Sequence, residues 1–153
     1  FVVGDNLAFE LSELLGFDYL KVEERIFSDG EVLPKLEKEP KINQAILIYQ
    51  KKQLENINSY LIKYLFLSKK LKEISQKVIG VMPYYPYARQ DAVFLEGEPV
   101  SSCIWHRFWK RVWTFLLLAI LTNIGKNFLI YSLFLLTMFL FLKKCLNFLM
   151  ILI

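Results

Sequence analysis

Two short apolar runs on either side of one long amphipathic segment constrain the fold of this chain more than any other feature. Residues 45–49 and 78–82 are continuously apolar, which is typical of strands that are covered on both faces. Residues 54–74 carry apolar side chains at helical spacing and lysines near the end, where positive charge stabilises a helix. A strand, a helix and a strand with short connections predict an α/β fold with parallel pairing.

The first residues of the chain predict another strand and another helix. Residues 1–3 have the apolar character of the end of a buried strand, and Asn6 is expected to cap the helix that follows. Leucines at helical spacing predict that this helix covers residues 7–15 and ends at Gly16.

A hairpin is predicted between this helix and the first apolar run. Residues 19–27 alternate in polarity and predict a strand, residues 28–30 (Ser-Asp-Gly) predict a turn, and residues 31–36 predict a returning strand. The hairpin completes a strand and helix pattern that extends over the first half of the chain.

The loop after the second apolar run holds the most specific residues of the sequence. Residues 83–91, here named the Arg89 loop, read Pro-Tyr-Tyr-Pro-Tyr-Ala-Arg-Gln-Asp. Ligands of parallel α/β sheets bind beyond the carboxyl ends of the strands. Arg89 offers a planar fork of donors for phosphate, and Gln90 offers a donor and an acceptor for the edge of a base. The alternative is an ordinary strand-to-helix connection with one surface ion pair.

Two motifs of this sequence, in the order in which the family carries them, resemble the amino-terminal domain of the ribose-phosphate pyrophosphokinases. Tyr-Ala-Arg-Gln-Asp at residues 87–91 is followed by Gly-Glu-Pro-Val-Ser at residues 97–101, and Phe-Ser-Asp-Gly-Glu stands upstream at residues 27–31. The resemblance covers roughly residues 1–102. It implies a parallel-sheet, phosphoribosyltransferase-like α/β domain over that range and a separate tail, residues 103–153.

The resemblance also implies an activity and a binding site. Enzymes of this family transfer the β,γ-pyrophosphoryl group of ATP to ribose 5-phosphate and require Mg²⁺, and their products feed nucleotide biosynthesis. In the family the upstream loop serves the site of a neighbouring subunit, so a homo-oligomer is expected. The ATP-binding residues that the resemblance implies are Phe27, Asp29, Gly30, Glu31, Arg89 and Gln90.

Each implied contact has a chemical role. Arg89 would touch the phosphates or the base of ATP, and Gln90 would help to fix the nucleotide. Phe27 would stack on adenine, while Asp29 and Glu31 would accept hydrogen bonds from adenine or its ribose. Without the resemblance, Phe27 would be interpreted as a core residue, residues 29–30 as a turn, and Glu31 as a solvated side chain.

Other parts of the family pattern are missing from the sequence. No Thr-Gly-Gly-Thr loop for ribose 5-phosphate occurs, and Ala92 and Val93 stand where the family usually carries basic residues. No catalytic residue and no metal ligand is assigned, and His106 lies in the wrong context to be one. We therefore expect a fragment that is inactive by itself. The alternatives are a non-catalytic docking subunit and a small membrane-tethered α/β protein.

The tail differs sharply from the rest of the chain. All 15 acidic residues lie at or before Glu98, and the apolar tail is predicted to be mostly helical. Three interpretations are open: a membrane segment within residues 112–142, which Lys126 divides into two short halves; a buried pair of core helices; or a shifted reading frame. The three tryptophans lie four residues apart, at Trp105, Trp109 and Trp113.

Charge and cysteine content limit the remaining classes of protein. The formal net charge of +4 arises from the residues after Glu98. The residues before that point contain no cluster of Lys and Arg of the kind that binds nucleic acids, so no nucleic-acid partner is expected. Cys103 and Cys145 are expected to be unpaired thiols. The first residues lack the basic lead of a secretory signal. A cytoplasmic location is therefore expected, with membrane association through residues 112–142 as the alternative.

Overall fold

The computed structural model describes residues 1–112 and 115–118. This part of the chain contains one sheet and three helices. The strands are β1 (Val2–Gly4), β2 (Tyr19–Ile26), β3 (Val32–Leu36), β4 (Ile42–Ile48), β5 (Ser75–Met82) and β6 (Phe115–Leu118). The helices are α1 (Asn6–Leu15), α2 (Ile57–Ile74) and α3 (Ser101–Val112).

The six strands form one mostly parallel sheet in the order β3-β2-β1-β4-β5-β6. Strands β2 and β3 pair antiparallel as the predicted hairpin, and all other neighbours are parallel. The unit β1-α1-β2 extends the sheet in one direction and β4-α2-β5 extends it in the other. The prediction of an α/β fold with a parallel sheet is therefore confirmed.

The two crossover helices cover opposite faces of the sheet. Successive residues of a strand point to opposite faces, so Val2 packs in a cluster with α1 while Val3 packs in a cluster with α2. Strand β4 divides in the same way, with Ile46 on the α1 face and Leu47 on the α2 face. The result is a three-layer core, which explains why the central strands are apolar on both sides.

The predicted end of α1 agrees with the structure, but its predicted N-cap does not. Gly16 lies in the left-handed region at φ 65° and ends α1 as predicted. The predicted cap Asn6 is wrong, because Asn6 is already the first helical residue and Asp5 is the N-cap. Asp5 has extended backbone angles, and its carboxylate accepts a hydrogen bond from the Leu7 amide at 3.1 Å.

Helix α2 begins three residues later than its apolar spacing predicts. Leu54 is 98% exposed and lies outside the helix, so its place in the apolar pattern is accidental. Asn56 caps the helix, since its side-chain oxygen accepts a hydrogen bond from the Asn58 amide at 2.8 Å. The chain must first return from β4 around the edge of the sheet, and that turn uses residues 49–56.

Two central strands are longer than their apolar runs. Strand β4 begins at Ile42 and β5 begins at Ser75, in each case three residues before the predicted start. The ladder pairs Ile42 with Ser75 and Gln44 with Lys77 at this end of the sheet. Ile42 is still buried at this end, at 4% exposure, so the apolar runs mark only part of the buried length of each strand.

Gly4 allows β1 and β4 to approach closely at their carboxyl ends. Its φ is 150°, and a Cβ atom at this position would lie 1.7 Å from the Ile48 carbonyl oxygen. Only glycine fits this approach. The contact fixes the point where the two halves of the sheet meet.

The described part of the tail is a helix followed by a strand. Helix α3 crosses residue 102, where the boundary between the domain and the tail is predicted. That boundary stays a prediction. Phe115–Leu118 forms β6, parallel to β5, rather than a helix, because the open edge of β5 offers backbone partners to a short apolar segment. None of the helices within residues 1–112 is both long and apolar enough for a membrane crossing. The interpretations of the tail depend mostly on residues 119–153, which lie outside the described residues.

Candidate nucleotide-binding site

The Arg89 loop leaves the carboxyl end of β5 directly after Met82. Its two prolines, Pro83 and Pro86, are buried, whereas Arg89 is exposed. The prolines restrict the backbone and anchor the loop to the core. A guanidinium is thereby presented to solvent at the edge of the sheet where ligands of parallel α/β proteins bind.

Tyr87 holds an unusual backbone conformation two residues before Arg89. Its φ is 57°, in the left-handed region that non-glycine residues rarely adopt. Its hydroxyl donates a hydrogen bond to Asn58 Oδ1 at 2.5 Å, and its carbonyl accepts one from the Ser101 hydroxyl at 3.1 Å. Such conformations persist where the surroundings over-determine them, and they concentrate at functional sites.

Gln90 is oriented by an acidic partner within its own connection. Its side-chain amide donates to Glu98 Oε2 at 2.8 Å, and the Leu95 amide donates to the same oxygen at 3.0 Å. The Gln90 carbonyl accepts from the Ser102 amide at 3.1 Å. One amide hydrogen of Gln90 is therefore already used, so contact with a nucleotide would come from its side-chain oxygen or its second hydrogen.

The upstream motif forms the tip of the β2-β3 hairpin. The Phe27 amide donates to the Glu31 carbonyl at 2.9 Å, and the Glu31 amide donates to Asp29 Oδ1 at 3.0 Å. Gly30 has a φ of 90°, which the turn requires. Phe27 is half-buried with the Arg25 guanidinium 4.7 Å from its ring centroid, while Asp29 and Glu31 are exposed.

The two groups of predicted residues lie apart within one chain. The hairpin follows β2 and the Arg89 loop follows β5, and strands β1 and β4 lie between them. Three strand spacings correspond to roughly 14 Å. The structure therefore places Arg89 and Gln90 together, places residues 27–31 together, and does not bring the two groups into one site.

A partly buried cluster of charged and phenolic side chains was missed by the sequence reasoning. Lys63 Nζ lies 3.0 Å from Glu24 Oε2 and 3.4 Å from the Tyr49 hydroxyl, and Lys63 also pairs with Glu55. Lys52 Nζ lies 2.6 Å from Glu24 Oε1. The available signal was a lysine on the apolar face of α2, three residues after one buried tyrosine and directly before another.

This cluster strongly perturbs the acidity of its members. Burial alone raises the pKa of Glu24, but hydrogen bonds from Lys52, Tyr49 and Lys63 outweigh burial and lower that pKa to about 2. Burial and the neighbouring Glu24 raise the pKa of Tyr49 well above its ordinary value. At neutral pH the Glu24 carboxylate therefore stays ionised, and the Tyr49 phenol stays neutral.

A cleft of about 410 Å³ opens where β1 and β4 end side by side. At this point the order in which strands are added to the sheet reverses. Two backbone amides at this cleft already have an acceptor in Asp5. Its carboxylate accepts from the Leu7 amide at 3.1 Å and from the Gln50 amide at 2.8 Å. Burial raises the pKa of Asp5 despite these hydrogen bonds. The carboxylate of the chain itself occupies the place where an anion would otherwise bind.

Metal-binding groups are sparse in this part of the molecule. Among the described residues, no group of three or more His, Cys, Asp or Glu side chains is arranged to hold a metal ion. These residues therefore do not fit a protein-made Mg²⁺ site. Cys103 is an exposed free thiol, and Cys145 lies outside the described residues.

The fold and the two loops define a doubly wound α/β domain with polar loops at the carboxyl ends of its strands. A sequence profile described as the N-terminal domain of ribose phosphate pyrophosphokinase matches residues 3–111. Because this match covers more than half of the 153 residues, the chain belongs to that family. The resemblance inferred from the motifs is confirmed.

Individual relatives agree with this assignment. The ribose-phosphate pyrophosphokinase of Bacillus caldolyticus is 32% identical over 105 residues, which is 67% of this chain and 33% of that protein. The Fusobacterium nucleatum protein of the same name is 34% identical over 98 residues, covering 63% of this chain and 30% of that protein. The chain thus spans about a third of the length of the curated relatives that it matches.

A solved structure supports the fold independently. The phosphoribosylpyrophosphate synthetase of Mycobacterium smegmatis superimposes with a TM-score of 0.62 at 22% identity. The alignment covers 72% of this chain and 38% of the other. At this identity the similarity shows a shared fold.

Proposed function

We propose that this chain supplies ATP-binding elements of a ribose-phosphate pyrophosphokinase, a transferase that moves pyrophosphate from ATP to ribose 5-phosphate. The observation that carries the proposal is the Arg89 loop, in which an exposed guanidinium stands beside a Gln90 amide fixed by Glu98 at 2.8 Å. Arg89 would pair with phosphate oxygens through its planar fork of donors. Gln90 would fix the nucleotide.

The hairpin loop would complete the site of another subunit. Phe27 would stack on adenine, and Asp29 and Glu31 would accept hydrogen bonds from the nucleoside. The separation of roughly 14 Å from the Arg89 loop within one chain supports a role in trans. Exposed apolar side chains on the hairpin, Ile26 at 68% and Leu33 at 44%, support a contact between copies.

The oligomer is open to a direct test. Light scattering on the purified chain should give a mass of at least two copies, and the pair Ile26→Asp and Leu33→Asp should return it to one copy. The matched pair Phe9→Asp and Leu14→Asp changes exposed apolar residues of α1 instead and should leave the mass unchanged. A single-copy mass for the parent chain would remove the homo-oligomer from the proposal.

Mg²⁺ is expected to arrive with the nucleotide, because it prefers phosphate and water oxygens to a protein-made cage. It supplies charge neutralisation on the phosphates when bound. The printed sequence contains no Thr-Gly-Gly-Thr loop, so we expect no turnover from these 153 residues alone. A cytoplasmic location belongs to the proposal, since ATP and ribose 5-phosphate are cytoplasmic metabolites.

The binding step is tested by calorimetric titration of ATP with Mg²⁺ into the full chain. Arg89→Ala should weaken ATP binding roughly tenfold or more, because a hydrogen bond to a charged group contributes about 1.5–3 kcal/mol. Lys69→Ala removes one positive charge from the carboxyl end of α2 and serves as the control. Unchanged affinity in Arg89→Ala, or an equal loss in Lys69→Ala, would remove Arg89 from the site.

The catalytic assignment needs the rest of the enzyme. A chimera in which residues 1–112 replace the matching segment of the Bacillus caldolyticus relative should release AMP from ATP only when Mg²⁺ and ribose 5-phosphate are both present. Arg89→Ala in the chimera should reduce that release. A folded chimera that releases no AMP would show that this domain does not serve the enzymatic function.

A further inference from the structure

Helix α3 contacts the Arg89 loop at three successive points of its first two turns. The Ser101 hydroxyl donates to the Tyr87 carbonyl at 3.1 Å, and the Ser102 amide donates to the Gln90 carbonyl at 3.1 Å. The Trp105 ring stacks on the Tyr87 ring with centroids 5.7 Å apart and planes inclined by 20°. The three contacts fall on Tyr87 and Gln90, which stand on either side of Arg89 in sequence.

The backbone at Tyr87 needs such external support. Its left-handed φ of 57° is unfavourable for a tyrosine, and the same backbone turn sets the direction in which Arg89 leaves the loop. The Tyr87 hydroxyl is held from α2, through Asn58 Oδ1 at 2.5 Å, while its ring is held from α3. Loss of either support would allow the backbone to relax to a more common conformation.

Trp105 is itself oriented by its surroundings. It packs at the margin of the core cluster on the α2 face, and Phe108 meets its ring edge-on at 5.5 Å with an interplanar angle of 86°. Offset and edge-to-face aromatic pairs have preferred geometries, so the ring transmits the position of α3 to Tyr87. A more mobile side chain at residue 105 would not do this.

We propose that Trp105 is a positioning residue for the nucleotide site, which holds Arg89 in its ATP-binding direction by stacking on Tyr87. This inference rests on the proposed function, in which Arg89 binds the phosphates of ATP. It assigns a role to a residue at the start of the tail. Trp105 does not contact the nucleotide in this scheme and acts through Tyr87.

The test is the dissociation constant for ATP, measured with Mg²⁺ on the full chain and its variants. Trp105→Ala should raise the constant roughly 3- to 10-fold, which corresponds to the worth of one aromatic pair. Trp105→Phe retains a ring and should stay within about twofold of the parent by the same measure. Phe9→Ala removes a half-exposed aromatic ring from α1, on the opposite face of the sheet, and should not change the constant.

A double-mutant cycle separates positioning from general destabilisation. Trp105 acts through Arg89, so Trp105→Ala should cause no further loss of ATP affinity when Arg89→Ala is already present. Additive losses would show that Trp105 affects binding by another route and would overturn the inference. If Trp105→Ala is unfolded at the assay temperature, Trp105→Leu keeps the apolar volume without the stacked ring and replaces it in the cycle.

The outcomes distinguish the two proposals. A parent chain that does not bind ATP contradicts the proposed function, and the positioning role is then wrong with it. A parent chain that binds ATP, is weakened by Arg89→Ala and is unaffected by Trp105→Ala contradicts the positioning role alone. Weakening by Trp105→Ala with recovery in Trp105→Phe supports both.

Discussion

The Lys63 ammonium lies 3.0 Å from the Glu24 carboxylate and joins helix α2 to strand β2 across 39 residues of sequence. The Lys63 side chain is only 3% exposed and that of Glu24 is 18% exposed. Glu24 stands three residues before Phe27, at the end of the strand that carries the hairpin loop. The ion pair therefore fixes the base of that loop to the core of the domain.

Lys63→Ala should strongly destabilise the domain. The substitution leaves the Glu24 and Glu55 carboxylates without their shared buried cation, and breaking a buried pair in this way costs about 3–5 kcal/mol. Lys70 is also on α2, and Lys70→Ala breaks exposed ion pairs with Glu39 and Glu73, so it should have a much smaller effect. Urea denaturation followed by circular dichroism measures both, and equal losses would contradict the assigned importance of the buried pair.

The stability of the domain should fall in acid because of Glu24. The pKa of Glu24 is about 2 in the folded chain and returns to its ordinary value, about 4.3, on unfolding. A lowered folded-state pKa gives a stabilisation that is present above the unfolded pKa and is lost as the pH falls toward the folded one. The free energy of unfolding should therefore decrease between about pH 4.5 and 2.

Glu24→Gln provides the control for this pH dependence. The variant should be less stable than the parent at pH 7, and its free energy of unfolding should change less over the acid range, because the titrating group is absent. Glu10→Gln removes a carboxylate from an exposed position of α1 and should preserve the parent profile. Parallel profiles for the parent and Glu24→Gln would show that another group controls acid unfolding.

Gly4→Ala should prevent normal packing at the junction of β1 and β4. The added Cβ would lie 1.7 Å from the Ile48 carbonyl oxygen, so the two central strands would have to separate. We expect a loss of about 4 kcal/mol or more, or an unfolded chain. Gly16 also has a positive φ but meets open space, so Gly16→Ala should cost only about 1–2 kcal/mol. Thermal unfolding of both variants tests whether the close approach or the backbone angle matters.

Asp5→Asn should destabilise the domain although asparagine is a good helix cap. Both carboxylate oxygens of Asp5 accept hydrogen bonds, one from the Leu7 amide and one from the Gln50 amide. An amide side chain has one oxygen and cannot accept both hydrogen bonds, so one of them is lost, at a cost of about 0.5–1.5 kcal/mol. The reciprocal change Asn56→Asp, at the cap of α2, should be nearly neutral. A neutral Asp5→Asn would show that the bridge to Gln50 contributes nothing.

The elements that could be predicted from sequence are those specified by local patterns. The buried centres of β4 and β5, the turn at residues 28–30 and the end of α1 at Gly16 each follow from a run, a spacing or a residue type. The family followed from three five-residue segments, at residues 27–31, 87–91 and 97–101. The errors at Asn6 and Leu54 lie at helix starts, where a capping hydrogen bond, and not the apolar spacing, decides the first residue.

The candidate site was only partly predictable. The structure places Arg89 at an exposed position beside Gln90, and the partner of Gln90 is Glu98, eight residues further on, which no local pattern indicates. The stacking of Trp105 on Tyr87 depends on where α3 returns to the sheet, and no periodicity in the tail indicates that. The separation of the hairpin loop from the Arg89 loop likewise depends on the order of strands.

The sequence by itself determined that this chain forms alternating strands and helices around a parallel sheet, because a two-residue or a 3.6-residue repeat of apolar side chains is a local property. Only the tertiary structure decided the strand order, the pairing of Lys63 with Glu24, and the support of Tyr87 by α2 and α3. These contacts join residues far apart in sequence. They form only when both faces of the sheet are covered at once, since their energies depend on burial that no single segment provides.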